Sequence, residues 1–86
     1  MTETGGQNVR EKSNRLVISF HTTTAAIQME KYCTERGLPG RLIPLPREIS
    51  AGCGMAWCAP PESRRVLEEA GAALQTEFAG IFELFI

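Results

Sequence analysis

The stretch AGCGMAWC, residues 51–58, sets two thiols five positions apart, with Cys53 clamped between Gly52 and Gly54 and Cys58 closing a short apolar run. Such a pair admits a shared metal, a disulfide, or one working thiol beside a bystander. If CGMAWC is extended, five steps of about 3.3 Å put the two backbones on the order of 16 Å apart, beyond the reach of about 7 Å within which disulfide-bonded α-carbons lie. The odd separation also sends the two side chains to opposite faces of a sheet. The chain holds no Cys-x-x-Cys and one histidine, whereas structural zinc takes four such ligands. No metal and no cofactor are therefore expected.

One working thiol remains, and position favours Cys53. Its flanking glycines remove steric cover, and the loop before it can turn successive amides toward the sulfur as an anion-binding nest. Positive charge on Arg47 and Arg41 would favour thiolate there. The competing reading is that Gly52 and Gly54 form a tight hairpin corner and Cys53 is a small apolar filler. Cys33 shares a helical stripe with Met29 and reads as an inert core thiol. Cys58 is expected to end its strand near where the first strand delivers His21. Those two are either a reactive couple or mere neighbours, with no orienting carboxylate in evidence.

The elements that must position these groups are legible in the patterning. Residues 1–14 are polar, with Val9 the one sizeable apolar group, and are expected to form a disordered tail. RLVISFH, residues 15–21, alternates as a strand with Leu16, Ile18 and Phe20 on one face. Thr22–Thr24 offer a helix N-cap, a simpler reading than an anion site, and Ala26, Met29 and Cys33 fall at helical spacing before Gly37 stops the helix. GRLIPLP is apolar but broken by Pro44 and Pro46, which places it at a sheet edge. CGMAWC follows as the second arm of a hairpin, with Met55 and Trp57 sharing a core face. Pro60 and Pro61 open a second helix whose apolar face is Val66, Leu67, Ala70, Ala73 and Leu74, weakened by Gly71. FAGIFELFI, residues 78–86, is the last strand.

The order β-α-β-β-α-β points to an α+β domain over residues 15–86, ferredoxin-like, with two helices on one face of a four-stranded antiparallel sheet. The hairpin arm that carries Cys53 is expected to be central and to start where the first helix finishes, which would keep a helix N-terminus out of the site. The other sheet face is expected to be uncovered, open to a homodimer.

With 86 residues the chain is one domain with a thin core. A net charge of −1 lacks the basic face that nucleic acid requires. No apolar run approaches the roughly 18 residues of a membrane span, and MTETGGQNVREKSN has no apolar stretch to serve as a signal peptide. The expected setting is the cytoplasm, without nucleic-acid or membrane partners, and three cysteines there are expected to stay reduced.

The run FHTTTAAIQMEKYC followed by GRLIPLPREISAGCGMAW resembles a family of small bacterial domains of unknown function described as selenium/sulfur carrier-like, over roughly residues 16–86. The most specific element is Pro-x-Pro-Arg-x-Ile-Ser with a Cys-Gly pair beyond it, here Pro44, Pro46, Arg47, Ile49, Ser50, Cys53 and Gly54. The resemblance implies that Cys53 carries activated sulfur or selenium, as persulfide or selenosulfide, between a donor and an acceptor protein. That would make the chain a carrier more than a catalyst. It also implies a polar residue where Cys58 stands, which leaves a second thiol to explain. The reading that competes from another class is an interaction or regulatory module without covalent chemistry.

Overall fold

A computed structural model describes residues 12–50 and 52–86. The elements run β1 (Asn14–Phe20), α1 (Thr23–Arg36), β2 (Arg41–Pro44), β3 (Met55–Ala59), α2 (Arg64–Ala73) and β4 (Phe78–Phe85). The four strands form one antiparallel sheet in the order β2-β3-β1-β4. The architecture is α+β, and the prolines of GRLIPLP do sit at an edge while β3 is central. β1 starts one residue earlier than its alternation predicts, and Ser13 exchanges backbone hydrogen bonds with Ile86 at 3.2 and 3.1 Å. Of the expected tail, residues 1–11 lie outside the described residues.

Local chemistry explains the helix ends. Thr22 is extended, and its Oγ1 accepts the Ala25 N–H at 3.1 Å, satisfying one of the donors that a helix start leaves unbonded. At the other end the Gly37 N–H turns back to the carbonyls of Cys33 and Thr34. Pro60 and Pro61 produce a 3-10 turn over Pro61–Ser63 before α2 begins at Arg64, three residues later than a direct start would give.

The buried residues of both helices, Ala26, Met29 and Cys33 of α1 and Leu67 and Ala70 of α2, join Leu16, Ile18, Phe20, Trp57 and Ala59 in one cluster. Both helices therefore cover the same sheet face. Trp57 anchors that cluster, its indole N–H donating to the Pro39 carbonyl at 3.1 Å. The apolar face of α2 is narrower than its sequence predicts, because Ala73 is exposed. Gly71 has a packing role instead of a weakening one: a methyl there would stand 2.5 Å from the Phe78 ring, which meets Phe20 edge-on at 5.7 Å between centroids.

The face away from the helices is not bare. The β2–β3 connection folds back so that Ile49, 5 % exposed, packs with Val17 and Ala56, and Ile43, Leu45, Phe82, Leu84 and Ile86 gather around them. This small second core is why every residue of β1 from Leu16 to Phe20 is buried, where strict alternation predicts one exposed side. It also covers part of the face on which a dimer was expected.

Candidate functional site

Cys53 lies just before β3, in a corner stitched on both sides. Its N–H donates to the Phe20 carbonyl at 2.9 Å, and the Gly54 carbonyl accepts the Leu45 N–H at 2.9 Å. The glycines are needed by this backbone, since φ is +140° at Gly52 and +96° at Gly54, a region that side chains rarely enter. Space distinguishes them. A methyl on Gly52 would press on Ser19 Cβ at 3.3 Å and the Phe20 oxygen at 3.4 Å, whereas one on Gly54 would meet nothing within 4 Å among the described residues. Open space in this corner therefore lies at Gly54. The thiol is half-buried, packs against the main core, and makes a weak contact of 3.9 Å with the Met55 carbonyl. Because the Cys53 amide is committed to Phe20, it cannot belong to a nest aimed at the sulfur.

The register corrects the expected placement of α1. β3 runs antiparallel to β1 with Ser19 opposite Ala56, so the residues preceding β3 meet the C-terminal end of β1. That is the end where α1 begins. The carbonyl holding Cys53 belongs to Phe20, two residues before the Thr22 cap, so the thiol lies beside a helix start and not beside a helix finish.

His21 moves with it. The residue follows Phe20 and is exposed at the Cys53 end, while Cys58 pairs with Val17, four residues back along β1. The expected couple of Cys58 and His21 is therefore broken by strand direction, and the histidine shares its end of the sheet with Cys53. Arg41 is likewise displaced from its expected role: it pairs with Cys58 across β2 and β3, while Pro44 pairs with Met55 at the Cys53 end. Arg47 stays on the same loop as Cys53, exposed in the turn that the Ile49 N–H closes onto the Pro46 carbonyl at 3.0 Å.

All three cysteines are free thiols. Cys33 is fully buried, and loss of hydration pushes its thiol above the ordinary cysteine range, so it stays protonated and inert as its helical stripe predicts. Cys58 is 7 % exposed on the sheet face away from the helices, and Cys53 packs on the helix side, as their odd spacing requires. Among the described residues no group of three or more His, Cys, Asp or Glu side chains is placed to hold a metal ion. No helix among them is long and apolar enough to cross a membrane.

Sequence reasoning missed two features. One is the orphaned hydroxyl of Ser19, fully buried beneath the Gly52 corner with no partner among the described residues. The other is the pairing of Arg41 with Cys58, which depends on register and has no local signal.

The model of a protein family described as "Putative Se/S carrier protein-like" matches residues 15–83. No curated protein and no solved structure matches the chain.

Proposed function

Starting from the fact that the chain belongs to the Se/S carrier protein-like family, we propose that it carries sulfur or selenium on Cys53 in a reducing, cytoplasmic setting. The observation that supports this reading most is the corner itself. Cys53 is the one free thiol that is partly exposed, in a corner with open space at Gly54, while Cys33 is sealed in the core and Cys58 is nearly so.

The transfer is an exchange at one sulfur. The Cys53 thiolate attacks the outer sulfur of a donor's persulfide; the donor's S–S bond breaks, its inner sulfur leaves as thiolate with the bonding electrons, and Cys53 becomes the persulfide. The same step in reverse, with an acceptor thiolate, releases the atom. Selenium follows the same route as a selenosulfide. Around the thiol, the first amides of α1, which lack helical partners, point their partial positive charge to the end where the anion forms. His21 stands at that end to take the thiol proton, and Arg47 lies on the same loop to attract an acidic partner. The donor and acceptor are proteins that approach over Gly54.

We read the scaffold as ferredoxin-like, supported by β1 lying between β3 and β4, so that each β-α-β unit has a foreign strand inserted. A strand end fixed by its neighbours holds the thiol more rigidly than a free loop would.

Limiting alkylation followed by peptide mapping tests the assignment. Cys53 is expected to label first and Cys33 last. Faster labelling of Cys58 or Cys33 would overturn it and favour a binding module in which Cys53 is filler.

A further inference from the structure

On the sheet face away from the helices a pocket of about 440 Å³ brings Arg15 and Arg41 together with Cys58, Ile43, Leu45 and Ile86. Three observations set its chemistry. First, its side-chain charge is of one sign: among the described residues two guanidiniums line it and no acidic side chain does, and with Arg15 engaged by the main-chain oxygen of Ile86, the last residue, Arg41 is the cation left to meet a ligand. Second, both cations are placed by the backbone. Arg41 is the cross-strand partner of Cys58, a relation that brings β-carbons to about 5 Å. Arg15 leaves β1 on the same face, two residues from the Cys58 partner Val17, and its Nε donates to the Ile86 carbonyl at 3.3 Å. Third, the floor carries a nucleophile. The small exposure that Cys58 retains opens into this pocket, and its walls are otherwise apolar.

We propose that this pocket is a second site, which takes a small organic anion carrying a disulfide and captures half of it on Cys58. A carboxylate of the ligand meets Arg41, its carbon frame lies on Ile43, Leu45 and Ile86, and its sulfur faces the thiol. The thiol proton leaves to solvent; the Cys58 thiolate attacks the nearer sulfur, a new S–S bond forms, the ligand's own S–S bond breaks, and the other half departs as thiolate with the electron pair. No outside oxidant or reductant is needed. The site lies on the opposite face of the sheet from Cys53, so its occupancy is independent of sulfur loading there and the two readings stand or fall separately.

Two aromatic disulfides of similar size test it: dithiobis(nitrobenzoate), which carries carboxylates, and dithiodipyridine, which is uncharged. Each is reacted with the folded chain at low salt, Cys58 modification is followed by peptide mapping, and the rate is divided by that of the same reagent with a small free thiol. One free cation beside the thiol in a partly aqueous pocket predicts about a 3- to 10-fold preference of Cys58 for the carboxylated reagent. Arg41→Gln is expected to remove most of that preference and Arg41→Lys to retain it, since Arg41 is exposed on an edge strand. Salt at about 1 M, where screening acts beyond about 3 Å, is expected to abolish it. Equal normalised rates for the two reagents, an Arg41→Gln chain with undiminished preference, or a Cys58 that neither reagent reaches in the folded chain would each overturn the proposal.

Discussion

Substituting alanine at Gly52 and, separately, at Gly54 tests whether the Cys53 corner is held as the structure shows. Both positions carry positive φ, so either methyl forces backbone strain on the order of 1–3 kcal/mol, offset by roughly 0.4–1 kcal/mol from the stiffer unfolded chain. The surroundings separate them. At Gly54, φ is +96° and the methyl enters open space, so strain is the whole cost, about 1–2 kcal/mol. At Gly52, φ is +140° and the methyl also crowds Ser19 Cβ at 3.3 Å, the Phe20 oxygen at 3.4 Å and Leu45 Cδ2 at 3.6 Å. Backbone atoms of a central strand cannot move aside freely, and overpacking adds about 1 kcal/mol or more, for a total of about 2–4 kcal/mol. In a domain of this size each kcal/mol lowers the melting temperature by about 4–8 °C, so Gly52→Ala is expected to fall by about 8 °C or more and Gly54→Ala by clearly less. Urea and thermal melts followed by the fluorescence of Trp57, the one tryptophan, report it directly. The variants also differ in chemistry: the Gly54 methyl adds bulk in open space next to the residue that bears the thiol, so it should slow a bulky alkylating reagent at Cys53 more than a small one. A Gly52→Ala chain as stable as the unaltered one, or a Gly54→Ala chain that is the less stable of the two, would refute the corner geometry.

Two further outcomes follow from buried polar groups. Burial raises the Cys33 pKa, so the folded chain keeps that proton to higher pH than the unfolded chain does. Its contribution to stability is complete below the unfolded value and is lost as pH rises through the folded one. Urea midpoints should therefore decline in the alkaline range, and Cys33→Ala, less stable at neutral pH, should show a flatter decline; an equally steep one would contradict this. The buried Ser19 hydroxyl has no partner among the described residues, so Ser19→Ala should stabilise by about 1 kcal/mol, seen as a higher urea midpoint with unchanged slope. A lower midpoint would show that the hydroxyl is satisfied.

Much of this fold is written locally. Thr22 and Gly37 bound α1, Pro44 and Pro46 confine β2 to an edge, and the spacing of Ala26, Met29 and Cys33 marks the buried stripe. Each of these signals depends on residues within a turn or two of one another. What escaped was the consequence of direction. Placing Cys53 beside the start of α1, and moving His21 from Cys58 to Cys53, requires knowing that β1 and β3 are antiparallel neighbours with Ser19 opposite Ala56. That pairing joins segments some forty residues apart, with no local trace. Ile49 was hidden for a related reason: an isolated apolar residue in PREISAG has no periodicity, yet it closes the second core over Val17 and Ala56. Of the candidate site, the glycine corner and the loop position of Arg47 were legible and the placement of Arg41 was not. Arg41 is near Cys53 in sequence, but the β2–β3 register carries it to Cys58.

Whether Cys53 holds the transferred atom is read by intact-mass analysis. The chain is exposed to a small-molecule persulfide and measured with and without reductant, beside Cys53→Ser and Cys58→Ser. A serine at this half-buried corner should change stability by less than about 1 kcal/mol, which a urea melt verifies, so a loss of loading reflects chemistry and not unfolding. The account predicts that the unaltered chain and Cys58→Ser each gain one reductant-labile sulfur, mapped to the Cys53 peptide, and that Cys53→Ser gains none. Undiminished loading of folded Cys53→Ser, or no loading of the unaltered chain, would contradict it.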